Sequence, residues 1–321
     1  MPRRVIGQLG FMDAALSRRG ERVADGLGSL AALVDWGRFE ALLCGIHAGR
    51  KGEASYPPLM MFKVLLLQRW HGLSDPAMEA ALADRLSFMR FAGLALDDAT
   101  PDHSTIWRFR QTLGADGLMD RLLGELNRQL DAQGLLVKQG TLIDASVVTS
   151  AARRPRMEED KVSPLDPEAR FGTTNERRRF VFGYKLHVAV DGGSGLVRAL
   201  KLTPANVQEV TVAPALLAHA DGLLLGDRGY DSDTLRRAAA TRGLADGLMR
   251  KRRGRELDPA EAERNHALSL QRRAVEALFG TMKRSYRLAR MRAFTQLRNT
   301  IDLTLFAIAF NLRRWLTLAT P

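Results

Sequence analysis

The sequence predicts a mixed α/β protein whose sheet lies in the middle of the chain, with an all-helical region ahead of it and further helices behind. Three observations carry this prediction. Residues 56–134 read as successive capped helices, residues 140–250 as short apolar runs broken by glycine-rich turns, and everything from Pro259 onward as helical again. The resulting order is strand, two-stranded hairpin, helix, strand, helix, short strand and helices, which is a mixed α/β layout. A boundary is expected at residue 135, with a helical region over 1–135 and the sheet-bearing region over 136–321.

Each element has its own reason. Residues 1–50 are weakly patterned. "YPPLMMFKVLLLQRWHGL" sets Pro57 and Pro58 at a helix start, where a missing N–H costs nothing. "SDPAMEAALADRLSFMRFAGL" opens on Ser74 as an N-cap and closes near Gly93. "TPDHSTIWRFRQTLG" repeats the pattern, with Thr100 or Asp102 as cap and Gly114 as stop. "GLMDRLLGELNRQLDAQG" carries leucines at three- and four-residue spacing. "GTLIDASVVTS" then reads as the first strand. Residues 151–179 are charged, contain three prolines and lack periodicity, so a loop or mobile arm is expected there. "FVFGYKLHVAVDGGSGLVRALKLTP" is a hairpin turning at "DGGSG". That turn opens no helix, so a phosphate-binding loop is a poor reading of it. "NVQEVTVAPALLAHA" is a helix that Pro214 threatens to interrupt. "GLLLGDRGY" is the next strand, "SDTLRRAAATRG" a helix and "ADGLMRKRRGR" a short strand.

The composition narrows the partners. The chain has 321 residues, 45% hydrophobic and 26% charged, enough for a real core. Its net charge of +12 favours polyanions, nucleic acid first and an acidic membrane surface second. The excess is concentrated: Arg250 to Arg298 holds fourteen Lys or Arg against five Asp or Glu. Cys44 is the only cysteine, which excludes an intrachain disulfide and thiolate zinc sites. The six histidines are scattered without zinc spacing, and His187 alternates along a strand as a structural residue would. The N-terminus lacks the apolar core of a signal peptide. The longest apolar run, Leu303 to Phe310, is too short to span a bilayer. A cytoplasmic protein is expected.

Three acids stand out by position. Asp144 lies inside the first strand, Asp227 ends the strand "GLLLGD", and Glu276 lies on a helix in which Arg272, Glu276, Phe279 and Lys283 share a face. A carboxylate at the end of an apolar run is costly unless something pairs with it. Two strand carboxylates and one on a helix suit divalent-metal chemistry at phosphorus, because hard cations take oxygen ligands and a pair of ions can flank an in-line displacement. Each acid also has an ordinary reading. Asp144 and Asp227 could be strand-end or turn residues, and Glu276 a solvated partner of Arg272 or Arg273.

The motifs "LIDAS", "FGYKLHVAVD", "LTPANV", "GDRGYDS" and "RRAVEALFGTMKR" resemble, in order and spacing, those of bacterial insertion-sequence transposases of the DDE type. The upstream helical region is similar to the one preceding the catalytic core in that group, so the resemblance covers about residues 40–315. It implies an RNase H-like core in which Asp144, Asp227 and Glu276 are catalytic and bind two Mg²⁺ ions, with Mn²⁺ as a substitute. It also implies an N-terminal module that recognises terminal inverted repeats, cleavage of the element's ends, and strand transfer into target DNA. The family's Tyr-Arg-Glu-Lys helix signature is met at Arg272, Glu276 and Lys283, with Ser269 in place of the tyrosine. A second departure is "NVQE", where Gln208 and Glu209 replace the usual His-Asp. Because both ends are handled together, a homodimer on DNA is expected, in a bacterial cell and on the nucleoid when bound. Two other readings are a nuclease that cuts without joining and a catalytically silent DNA-binding relative.

Further basic residues are candidate DNA contacts. Arg250, Lys251, Arg252 and Arg253 form a run suited to phosphates. Arg272, Lys283, Arg284 and Lys185 accompany the acidic motifs. Arg108 and Arg110 lie on "TPDHSTIWRFRQ", which reads either as a DNA-reading helix or as a core helix anchored by Ile106, Trp107 and Phe109.

Overall fold

The computed structural model describes residues 3–8, 10, 26–46, 54–114, 117–156, 162–173, 180–252, 254 and 256–319. Arg253, and stretches 157–161 and 174–179 of the charged segment, lie outside the described residues. Two compact units form, one of residues 1–129 with 308–321 and the other of residues 130–307. The boundary therefore falls before the expected residue 135, and the C-terminal residues belong with the first unit. The reason is local bonding. Within that unit Trp70 Nε1 donates to the Ala309 carbonyl at 2.7 Å, and Asn311 Nδ2 to Asn127 Oδ1 at 3.1 Å.

The first unit contains α1 (Leu27–Leu33), α2 (Trp36–Leu43), α3 (Pro58–His71), α4 (Asp75–Asp84), α5 (Leu86–Ala92), α6 (His103–Thr112) and the greater part of α7 (Leu118–Ala132). Among the described residues, the weakly patterned first fifty hold two short helices. The predicted caps are present. Pro58 is the first residue of α3, Ser74 accepts from the Ala77 amide, and Asp102 accepts from the Thr105 amide at 2.6 Å. Gly93 ends α5 at φ 87°, a conformation that excludes most side chains. Helix α3 is apolar nearly all round and is buried accordingly, from Met60 and Phe62 to Trp70. Phe39 stacks on Phe62 with ring centres 5.8 Å apart.

The second unit is built on a six-stranded sheet of β1 (Gly140–Thr149), β2 (Arg170–Thr173), β3 (Phe180–Asp191), β4 (Val197–Pro204), β5 (Leu223–Gly226) and β6 (Ala245–Leu248). β3 is antiparallel to β1 on one side and to β2 and β4 on the other. β5 runs parallel to β1, and β6 parallel to β5. Three antiparallel strands followed by two parallel ones, in the order β4-β3-β1-β5-β6, is the RNase H-like arrangement. Helices α8 (Glu209–Leu217) and α9 (Asp233–Thr241) supply the crossovers. Pro214 lies inside α8 without breaking it. Ile143, Ala189, Ala213, Leu216, Leu224, Tyr230 and Leu248 pack together into the core between sheet and helices.

The described part of the charged segment is more ordered than its composition predicts. It contributes β2 and a buried carboxylate, Asp166, that accepts from Ser150 Oγ at 2.5 Å, from the Tyr184 hydroxyl and from the Thr295 amide. A charge fully out of water persists only with such partners, so these bonds dock the segment on the sheet. The C-terminal helices are α10 (Pro259–Leu270), α11 (Arg273–Arg284) and α12 (Gln296–Ala319). Among the described residues, no helix is long and apolar enough to cross a membrane.

Candidate active site

The site begins with the register of two parallel strands. Leu142 on β1 pairs with Leu225 on β5. Asp144 and Asp227, each two residues farther on, therefore stand at matching positions at the carboxyl end of that pair. β1 lies between β3 on one side and β5 on the other, so the sheet grows from it in both directions, and open α/β sheets bind ligands at such a switch point. Ile143 packs into the core, so its neighbour Asp144 turns to the other face. There Arg272 Nη2 donates to Asp144 Oδ2 at 2.6 Å, with the two side chains only 13% and 14% exposed.

Arg272 reaches Asp144 because the helix expected to carry it is interrupted. α10 ends at Leu270 and α11 starts at Arg273, with Arg272 between them at φ −85°, ψ 1°. Tight i→i+3 bonds, from the Arg272 amide to Ser269 and from the Val275 amide to Arg272, make the corner. The break lies ahead of Arg272, so the four-three-four face from Arg272 to Lys283 runs along α11 from its N-cap, and the Glu276 amide bonds the Arg272 carbonyl at 3.4 Å. Glu276 lies in the first turn of α11, one turn beyond Arg272, with its side chain exposed to solvent. Among the described residues, no three of His, Cys, Asp or Glu stand close enough together to hold a single metal ion. Asp144 and Asp227 are brought together, and Glu276 is not brought onto them.

Asp227 is a turn residue, as one of its readings has it, and it also opens on a cleft. Its carboxylate accepts from the Gly229 amide at 2.8 Å and caps the short 3₁₀ turn Arg228–Tyr230. It also lines a cleft of about 440 Å³ with Glu209, Arg228, Gly229, Met249, Lys251 and Arg272. The electrostatics fit a cation. Burial pushes the Asp144 carboxyl up to about 6, Arg272 opposes this, and the Asp227 charge adds a further upward push. Two repelling carboxylates of the type hard cations prefer, one bonded to an arginine and the other to a backbone amide, leave negative charge for a divalent ion to offset.

Sequence reasoning missed one residue. Glu209, which reads in the sequence as a mere departure, opens α8 within the same cleft and pairs with Lys185 Nζ at 3.4 Å. Burial raises its pKa, with Lys185 opposing and Asp227 adding to the rise. Its position in "NVQE" gives no sign of this, because nothing in the spacing brings the start of α8 to the end of β5. Lys185, a candidate DNA contact, instead spends its charge on Glu209 and on the Val207 carbonyl at 3.0 Å.

The other basic candidates divide. Lys251, which lines the cleft, Arg252, Lys283 and Arg284 are exposed. Arg250 lies 3.6 Å from both Asp231 and Asp233, and its backbone bonds Asn265. In the first unit Arg108 lies on the outer face of α6 with Trp107. Arg110, expected beside it, turns inward instead. It donates to Asp75 and, at 2.7 Å, to Gln68, so it ties α6 to α3 and α4. A buried glutamine and a partly buried aspartate satisfy it there.

Comparison with known proteins agrees with this architecture. Residues 136–312 match the family described as Transposase DDE domain, and residues 19–112 match Transposase domain (DUF772). The first match spans more than half of the chain: the protein belongs to the DDE transposase family. Among solved structures it is similar to the Mos1 strand transfer complex, at 12% identity over 87% of this chain and 82% of that one, with a TM-score of 0.21. So low a score adds nothing to the assignment.

Proposed function

We propose that this transposase binds the terminal inverted repeats of its own element, cleaves a phosphodiester at each end and joins the freed 3′-hydroxyl to target DNA. The observation that carries the reading is the pair Asp144, on β1, and Asp227, just past the end of β5, each two residues beyond the Leu142–Leu225 pair, with Arg272 bonded to Asp144. Asp144, Asp227 and Glu276 would hold divalent cations, Mg²⁺ or Mn²⁺. Such ions, when bound, supply Lewis-acid stabilisation of the charge that develops on phosphate oxygens.

The protein's own residues have distinct tasks. Asp227 is held by the Gly229 amide with its carboxylate presented to the cleft. Arg272 fixes the Asp144 rotamer and keeps a positive charge at the cleft wall for a phosphate. Lys251 lines the same wall and would position the DNA backbone without reading bases. Arg252, Lys283 and Arg284 would extend that phosphate track. Glu276, exposed on α11, would come to the centre only with DNA and metal present. A homodimer on DNA follows from the need to handle two ends together, and the setting would be a bacterial cytoplasm, on the nucleoid.

The test is a transposition assay with a marked element carrying the gene's own flanking DNA, in Mg²⁺. Wild-type protein is expected to give insertions. Asp227→Ala is expected to give none while still binding the element's ends. Insertion by the variant at the wild-type rate would sink the mechanism. Nicked ends without joined product would favour a nuclease.

A further inference from the structure

The cleft holds a carboxylate that the proposed chemistry does not use. Glu209 Oε2 and Asp227 Oδ1 lie 2.5 and 2.9 Å from the point where a Cβ on Gly229 would stand, which bounds their separation at 5.4 Å. Two like charges so close are unfavourable unless a cation faces both. Lys185 meets Glu209 from one side, 3.4 Å from Oε1, and leaves Oε2 turned toward Asp227. A second observation points to the same place. The Tyr230 hydroxyl is fully buried and has no hydrogen-bond partner among the described residues. It lies in the field of Glu209, Asp144 and Asp227. A buried donor without a partner is costly, and this one stands within electrostatic reach of all three acids.

We propose that Glu209 is a further carboxylate of the divalent-cation centre, acting beside Asp227, and that Lys185 holds its place when no divalent ion is bound. The inference rests on the assignment of Asp144 and Asp227 to that centre. A purely structural ion pair would not need its second oxygen in the cleft, nor a glycine opposite it. Here Gly229 does not need its conformational freedom, because its φ lies outside the left-handed region. It is needed for the space that Glu209 and Asp227 share.

The experiment is Mn²⁺ binding by the full chain without DNA, read from the electron paramagnetic resonance signal of the free ion, with melting curves to check folding. Glu209→Gln is expected to weaken binding roughly 10- to 100-fold. Glu209→Asp should stay within a few-fold of wild type, and Lys185→Met should bind more tightly because the competing ammonium is gone. Opposite signs for Glu209→Gln and Lys185→Met are the signature, since breaking a structural pair from either end would act in the same direction. Unchanged affinity in Glu209→Gln, or equal weakening in both variants, overturns the proposal. If Glu209→Gln does not fold, Lys185→Met decides alone: tighter binding supports the proposal, and unchanged or weaker binding overturns it. Asp227→Asn separates the two levels. If it binds Mn²⁺ as wild type does, or if wild type itself shows no saturable binding, the assignment of the centre falls and this inference falls with it.

Discussion

Arg272 and Asp144, 128 residues apart in sequence, form a largely buried ion pair in the middle of β1. Arg272 keeps a negative charge in a place that burial alone would neutralise. Breaking a buried pair from one side leaves an uncompensated charge, which costs about 3–5 kcal/mol. Arg272→Gln should therefore lower the unfolding free energy by about 3 kcal/mol in urea titrations without divalent ions. Millimolar Mg²⁺ should restore part of the loss, because an ion on Asp144 would stand in for the missing guanidinium. If Mg²⁺ stabilises Arg272→Gln no more than it does a variant that also carries Asp144→Asn, Asp144 does not hold the ion.

His187, in the middle of β3, gives a pH dependence of known sign. It is fully buried, its Nε2 lies 2.9 Å from Thr203 Oγ1, and burial, helped by Lys185, lowers its pKa to about 4. The folded protein keeps the ring neutral, whereas the unfolded chain takes up a proton below about 6.5. The contribution to stability is whole above pH 6.5 and is lost as the pH falls toward 4, a total of about 3 kcal/mol. His187→Gln lacks this component. The stability difference between wild type and variant should shrink by about 2 kcal/mol between pH 7 and pH 4.5 in denaturant titrations. A constant difference would show that the ring is charged in the fold.

Much of this molecule is legible in its sequence. The caps Pro58, Ser74 and Asp102, and the strands that carry Asp144 and Asp227, follow from local rules, because caps and strand tips are set by a few adjacent residues. What stays hidden depends on partners distant in sequence. β2 is a strand only because β3 offers it a backbone edge, and Asp166 is buried only because Ser150, Tyr184 and Thr295 converge on it. Glu209 reads as a helix-start acid, and only the fold sets the end of β5 against it. Residues 308–321 read as part of the last helix, and nothing local predicts Trp70 as the donor to Ala309. The helix break at Arg272 is masked by strong helical spacing on both sides.

Two arginines two residues apart on α6 should behave in opposite ways. Arg110 is committed to Asp75 and Gln68, so Arg110→Ala leaves a half-buried carboxylate without its main cation. A loss of about 2 kcal/mol in stability is expected. Arg108 is exposed, and its hydrogen bonds go to Ser104 of its own helix. Arg108→Ala should leave the melting temperature unchanged. If α6 meets DNA, it should also weaken end binding and reduce the salt slope by about one. A melting temperature lowered as much by Arg108→Ala as by Arg110→Ala would contradict this division.

Gly229→Ala tests the site with the smallest possible change. The backbone at Gly229 is not left-handed, so alanine meets no conformational penalty there. Its methyl group would instead fall 2.5 Å from Glu209 Oε2 and 2.9 Å from Asp227 Oδ1, well inside contact distance. Both obstacles are ends of side chains, which can swing aside at a cost of about 1 kcal/mol in rotamer strain. Stability should therefore change little, while both carboxylates leave the positions they share. Displacing catalytic groups by as little as about 1 Å costs on the order of 100-fold in rate. The expected result is a protein that melts near the wild-type temperature and binds the element's ends, yet gives about a hundredth of the insertions. Wild-type insertion by Gly229→Ala would mean that the positions of Asp227 and Glu209 at this turn are irrelevant to the chemistry. The active centre would then have to lie elsewhere in the cleft.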